Sequence, residues 1–183
     1  MQQGPMIDRS MADDLRAAIR EVPDFPKKGI LFYDITTLLA DARSFRRAID
    51  ALAAPHVGQP IDIVVGIEAR GFIVGAALAY TLGKGLVVVR KKGKLPARTR
   101  TASYALEYGI DQVEMHEDAV RPGARVIIVD DLLATGGTAA AAVELVRESG
   151  GHVVECAFLV ELESLGGRAR LDGCHVVSLV RYS

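Results

Sequence analysis

Hydrophobic residues follow two regimes along this chain, and the change falls near residue 60. Before it, apolar positions recur at helical spacing. Leu15, Ile19 and Val22 follow a capping-box-like Ser10 and Asp13, which predicts a helix stopped by Pro23 and Pro26. Ser44 is placed to cap a second helix, with Phe45, Ile49 and Leu52 on one face and an end within residues 55–60. After residue 60, short β-rich runs alternate with helices of small residues. Residues 61–67 read as a buried strand, 71–82 as an alanine-rich helix and 86–90 as another strand. Beyond a polar stretch, 125–129 reads as a strand and 138–149 as a helix, and strands over 153–162 and 175–180 complete the set.

Continuous apolar strands separated by helices predict an α/β protein: a parallel twisted sheet with helices on both faces, joined by right-handed crossovers. In such sheets ligands sit beyond the carboxyl ends of the strands. The 183 residues suit one domain, with about 1–60 forming an N-terminal region and about 61–183 the core sheet. No internal repeat or low-complexity segment interrupts it.

Charge narrows the chemistry. Twenty-two basic residues against 23 acidic ones leave a formal charge of −1, which argues against a general nucleic-acid binder. Any anion must be caught by local geometry. Cys156 and Cys174 share no CxxC spacing and lie in apolar runs, so they read as plain buried thiols. The four histidines form no metal-ligating pair. Residues 1–5 lack the basic and apolar blocks of a signal peptide, and no apolar run approaches the roughly 20 residues of a membrane span, so a cytoplasmic protein is expected.

The most informative segment is VIIVDDLLATGGT, residues 126–138. A buried strand delivers two adjacent carboxylates, Asp130 and Asp131, and a small-residue loop then opens a helix. Carboxylates accept hydrogen bonds from vicinal ribose hydroxyls. The loop formed by Ala134, Thr135, Gly136, Gly137 and Thr138 offers backbone N–H groups to a phosphate, aided by the positive end of the following helix. The Lys of a Walker A loop is missing, and no GxGxxG occurs.

This segment resembles the ribose-5-phosphate signature of the type I phosphoribosyltransferases, and three further segments refine the likeness. PDFP (23–26) leading to GILFYDIT (29–36) is similar to the base-binding stretch of adenine phosphoribosyltransferases, GIEARGF (66–72) resembles their diphosphate loop, and RKKGKLP (90–96) running to YALEYG (104–109) resembles their mobile catalytic loop. The resemblance implies a small N-terminal base-binding hood and a mobile catalytic loop added to the sheet. It implies transfer of a phosphoribosyl group from 5-phosphoribosyl 1-diphosphate, with Mg2+, to adenine, giving AMP and diphosphate in a homodimer.

By that likeness Asp130 and Asp131 face the ribose hydroxyls and residues 134–138 the 5-phosphate. Arg70, Lys91 and Lys94 face the diphosphate, Leu31, Phe32 and Tyr33 the adenine, and Glu107 and Tyr108 the reacting purine. Magnesium is expected to be held by diphosphate, ribose and water rather than directly by protein. Ala134 stands where enzymes acting on 6-oxopurines carry an aspartate, which favours a 6-aminopurine. Tyr33 departs from relatives that carry Arg, and the loop tip Arg98–Arg100 is more basic than the family pattern. Two alternatives remain at this point: a related enzyme using another base such as xanthine, and a non-catalytic sensor retaining the same pocket. The GILFYDIT and LEYG segments argue against the first. The absence of a helix-turn-helix pattern before residue 60 argues against the second.

Overall fold

The computed structural model describes residues 9–105 and 109–183. Its N-terminal part comprises α1 (Arg9–Ala17), β1 (Arg20–Pro23), β2 (Leu31–Asp34), α2 (Thr36–Ala40) and α3 (Ala42–Ala53). The remainder runs β3 (Ile63–Ile67), α4 (Gly71–Leu82), β4 (Gly85–Lys91), β5 (Thr99–Ala105), β6 (Ile110–His116), β7 (Arg125–Leu133), α5 (Gly137–Glu148), β8 (His152–Leu162) and β9 (Val176–Tyr182). Strands β1 and β2 form a separate antiparallel ribbon. The other seven make one sheet in the order β5-β6-β4-β3-β7-β8-β9. Five of these, β4 to β9 in that order, are parallel, whereas β6 joins β4 antiparallel and carries β5 at the edge.

Strand alternation assigns the helices to opposite faces. Val64, Ile127, Val129 and Leu159 pack with Leu15 of α1, Leu52 of α3 and Leu78 of α4. Their neighbours Val65, Ile128 and Phe158 point the other way, against Leu145 and Val146 of α5 and Met115 of β6. Each fully buried Leu, Ile or Phe contributes roughly 1.5–3 kcal/mol. The two apolar layers thereby hold the carboxyl ends of β3, β4 and β7 side by side. The α/β sheet with helices on both faces is as the sequence predicts.

Local departures have local causes. The first helix ends at Ala17. Val22, read as helical, instead pairs with Phe32 across the ribbon, because the β-branched Val before Pro23 satisfies an extended backbone better than a helix. The cap of α3 is Asp41, whose carboxylate accepts the Ser44 N–H at 2.7 Å; Ser44 itself lies inside the helix. The strand read as 125–129 continues to Leu133 through the acid pair. Of the two thiols read as buried, the structure buries Cys156 but leaves Cys174 partly exposed. The polar stretch after β4 holds β5 and β6, an antiparallel pair whose inward residues Ala102, Tyr104, Val113 and Met115 are buried among polar neighbours.

Candidate active site

The carboxyl end of β7 turns into α5 through Ala134, Thr135 and Gly136. Gly136 has φ 78°, the left-handed backbone that glycine adopts without strain, and it caps α5. An open recess lies over this turn, lined by Asp130 and residues 132–139. Its floor is the first turn of α5, a twelve-residue helix whose N–H groups and dipole favour an anion. All five residues expected at a 5-phosphate therefore line one recess.

The acid pair divides its work. Asp131 is buried, and its Oδ2 lies 2.6 Å from Nε of Arg70, the residue leading into α4. Asp130 accepts the Asp131 N–H at 2.9 Å. Gly71 allows this approach, since a Cβ there would come within 2.6 Å of Asp130 Oδ1. Burial, followed by the neighbouring Asp131 charge, pushes the Asp130 carboxyl well above the usual carboxylate range.

The sign of the resulting pH dependence is fixed. An unfolded Asp ionises near pH ~4. Folded Asp130 keeps its proton to higher pH, so the folded state binds more protons from there upward and stability falls as pH rises through the raised value. Ligand-free Asp130→Asn is accordingly expected to melt above the wild type near pH 8, with the gap closing towards pH 4. Thermal scans across that range check this; a gap independent of pH would place the cause elsewhere.

Strand β2 brings the base-binding candidates to the same end of the molecule. The Arg70 guanidinium sits over the Phe32 ring, 5.6 Å from its centroid, and Phe25 meets that ring edge-on at 5.1 Å. Leu31 is exposed beside them. Tyr33 alternates to the other side of the ribbon, where its ring stacks on Tyr182 at 3.7 Å. Of the three, Phe32 adjoins Arg70 by its side chain, whereas the Tyr33 side chain is committed to the core.

The basic segment after β4 is pinned rather than free. Glu68, at the end of β3, contacts Lys94 Nζ and accepts the Lys91 N–H at 2.9 Å, with Arg90 Nε at 3.4 Å. Burial opposes its ionisation, but these partners win and hold the Glu68 carboxyl below its usual range. Buried Glu114 accepts the N–H groups of Lys94 and Leu95, both at 2.9 Å, and the Thr99 hydroxyl at 3.2 Å. Lys91 Nζ contacts Asp111 and the Tyr104 hydroxyl, and the Asp111 carboxyl is pulled down to about 2, chiefly by that hydrogen bond from Lys91. Tyr104 also closes on the phosphate turn: a Cβ on Gly137 would lie 3.0 Å from its ring. Glu107 and Tyr108 lie outside the described residues.

Sequence reasoning gave no role to Glu68, Asp111 or Glu114. Their signal was slight, since an isolated acidic residue in or beside a strand resembles any surface carboxylate. Among the described residues no group of three or more His, Cys, Asp or Glu side chains is arranged to hold a metal ion, and no helix is long and apolar enough to cross a membrane.

A carboxylate pair, a glycine turn at a helix start and an arginine from the neighbouring loop stand together at the carboxyl edge of a parallel sheet. Residues 36–177 match the family model described as Phosphoribosyl transferase domain, and the chain belongs to that family. Adenine phosphoribosyltransferase of Syntrophotalea carbinolica is 61% identical over 170 residues, covering 93% of this chain and 99% of that protein. The crystal structure of adenine phosphoribosyltransferase from Thermoanaerobacter pseudethanolicus superposes with a TM-score of 0.89 at 53% identity, covering 93% of this chain and 99% of that one. The Saccharomyces cerevisiae enzyme, solved with an imino-altritol bisphosphate and adenine, gives 0.89 at 42% identity, covering 93% and 98%. Within the family, the chain stands with the adenine phosphoribosyltransferases.

Proposed function

We propose that this protein transfers the 5-phosphoribosyl group of 5-phosphoribosyl 1-diphosphate to adenine, giving AMP and diphosphate in purine salvage. The observation that carries this reading is the Phe32–Arg70–Asp131 series, which links the base hood, the diphosphate loop and the ribose end of β7. The assignment to adenine rests on the relatives and on Ala134, an uncharged residue in the phosphate turn.

Adenine N9 bonds to C1 of the ribose as the C1–oxygen bond to diphosphate breaks, the electron pair leaving with diphosphate. Positive charge builds on the ribose ring and negative charge on the leaving group, so the protein contributes position and electrostatics. Asp130 and Asp131 would accept hydrogen bonds from the ribose hydroxyls, and the N–H groups of the phosphate turn would hold the 5-phosphate. Arg70 and Lys94, with Lys91 behind them, would face the diphosphate. Phe32 would stack on adenine, with Leu31 and Tyr33 contributing backbone groups. Glu107 would orient the purine or take its N9 proton, and Tyr108 would help exclude water from C1.

Mg2+ would be carried mainly by the hard oxygens of the donor and by water, with the Arg70-paired carboxylate of Asp131 close by at the β7 end. Bound there, the ion would neutralise charge on the leaving diphosphate. A cytoplasmic homodimer fits this reading. Ile73 and Tyr80 are exposed two turns apart on α4 and offer an apolar face for a second copy.

The test is AMP formation from the ribosyl donor, Mg2+ and each purine base in parallel. Rapid product with adenine alone is expected. Product with hypoxanthine, guanine or xanthine instead would replace the base assignment, and donor binding without product from any base would favour a sensor.

A further inference from the structure

The turn over α5 is also supported from behind, by residues to which neither the sequence motifs nor the site chemistry gives a role. Gly167, buried in a short 3-10 turn after β8, packs backbone to backbone against it. A Cβ on Gly167 would lie 2.1 Å from the Ala134 carbonyl oxygen and 2.9 Å from the Gly136 nitrogen. A Cβ on Gly136 would in turn lie 2.4 Å from the Gly167 carbonyl oxygen. The two glycines admit each other only as glycines, and these atoms are backbone that cannot swing aside.

Arg168 fastens this contact. Its Nε donates to Glu161 Oε1 at 3.0 Å and its Nη2 to Oε2 at 2.6 Å, a two-point pairing with a buried carboxylate. Its Nη1 donates to the Val176 carbonyl at 2.7 Å, so the same side chain also holds β9. Glu161 is the register partner of Leu133, the residue just before Ala134. The pair therefore anchors the turn carrying Gly167 to the strand beside the phosphate turn.

We infer that Gly167 and the Glu161–Arg168 pair are positioning residues for the donor's 5-phosphate, fixing the 134–138 turn from its rear without touching substrate. This rests on the phosphoribosyl-transfer reading of the site. Phosphate affinity depends on several N–H groups converging on one anion, so a small displacement of the turn weakens all of them together.

The experiment compares wild type, Gly167→Ala, Arg168→Lys and Arg168→Ala. It measures both KM values and kcat, and titrates ribose 5-phosphate by calorimetry. Wild-type AMP formation secures the underlying reading before the variants are interpreted. Gly167→Ala is expected to raise the donor KM at least tenfold and weaken ribose 5-phosphate equally, with the adenine KM within twofold. Arg168→Ala should move the same two quantities, and Arg168→Lys should recover part of the loss. Unchanged donor KM and ribose 5-phosphate affinity in folded variants would overturn the inference. Equal losses for donor and adenine would overturn it too, because they would mark general loosening. Should Gly167→Ala fail to fold, the two Arg168 variants decide alone.

Discussion

Asp131→Asn is expected to raise the KM for 5-phosphoribosyl 1-diphosphate about a hundredfold while the KM for adenine moves less than about threefold. The substitution keeps shape and removes charge. In the native site Asp131 is buried with one oxygen 2.6 Å from Arg70, so it is a sheltered carboxylate already paired with a cation. A ribose hydroxyl donating to it gains more than a neutral hydrogen bond would give. An amide at 131 presents one oxygen and one NH2 group, and the latter faces a hydroxyl or guanidinium that needs an acceptor. A hundredfold is about 2.7 kcal/mol, within reach of one lost hydrogen bond to a charged group. Adenine is expected beside Phe32, on the other side of Arg70, and so should be spared. Steady-state kinetics with each substrate varied in turn checks this, and parallel rises would indicate collapse of the whole end of the sheet.

The parts of the molecule legible in the sequence were those whose signal is local. A buried β strand followed by two acids and a glycine turn can be read directly, because apolar continuity, charge and backbone freedom are each written in adjacent residues. The alanine-rich α4 was equally plain, and residues 71–82 form the helix as read. Features that depend on distant partners were not legible. Val22 fitted a helical spacing until its pairing with Phe32 turned it into a strand. The β5–β6 pair was hidden because its buried face is short and interleaved with charged residues such as Arg100, Asp111 and Glu114. Tyr33 sat within a base-binding motif, yet strand alternation sends its ring to Tyr182. Gly167 gave no signal at all, since its role is a contact across 30 or so residues of chain with Ala134 and Gly136.

These long-range pairings change how the site's charge is understood. Each basic residue assigned to the diphosphate already has a carboxylate partner: Arg70 with Asp131, Lys94 with Glu68, and Lys91 with Asp111. Paired cations are held in place and screened from one another, so a site for a polyanion can exist on a chain whose net charge is −1. On the proposed reading the donor would draw on the same cations, and its ribose would draw on Asp131. The Arg70–Asp131 pair is the one contact in which both partners are wanted by different parts of one substrate. Exchange there would release Asp131 to the ribose as Arg70 turns to the diphosphate.

Arg70→Gln is therefore expected to lower kcat roughly a hundredfold to a thousandfold, the range seen when one preorganised donor to developing negative charge is removed. The affinity for diphosphate as a product inhibitor should fall as well. Stability should respond in a separable way. Without Arg70, Asp131 is a buried carboxylate lacking its counter-charge, so the ligand-free variant should melt below the wild type. Adding Asp131→Asn removes that stranded charge, and the double variant should recover part of the lost melting temperature without recovering turnover. Thermal scans and kinetics on the two single variants and the double variant form a complete cycle. Stability effects that simply add would mean the pair is not coupled in the free protein. Restored turnover in the double variant would mean that Arg70 serves only to balance Asp131 and has no part in carrying the leaving group's charge.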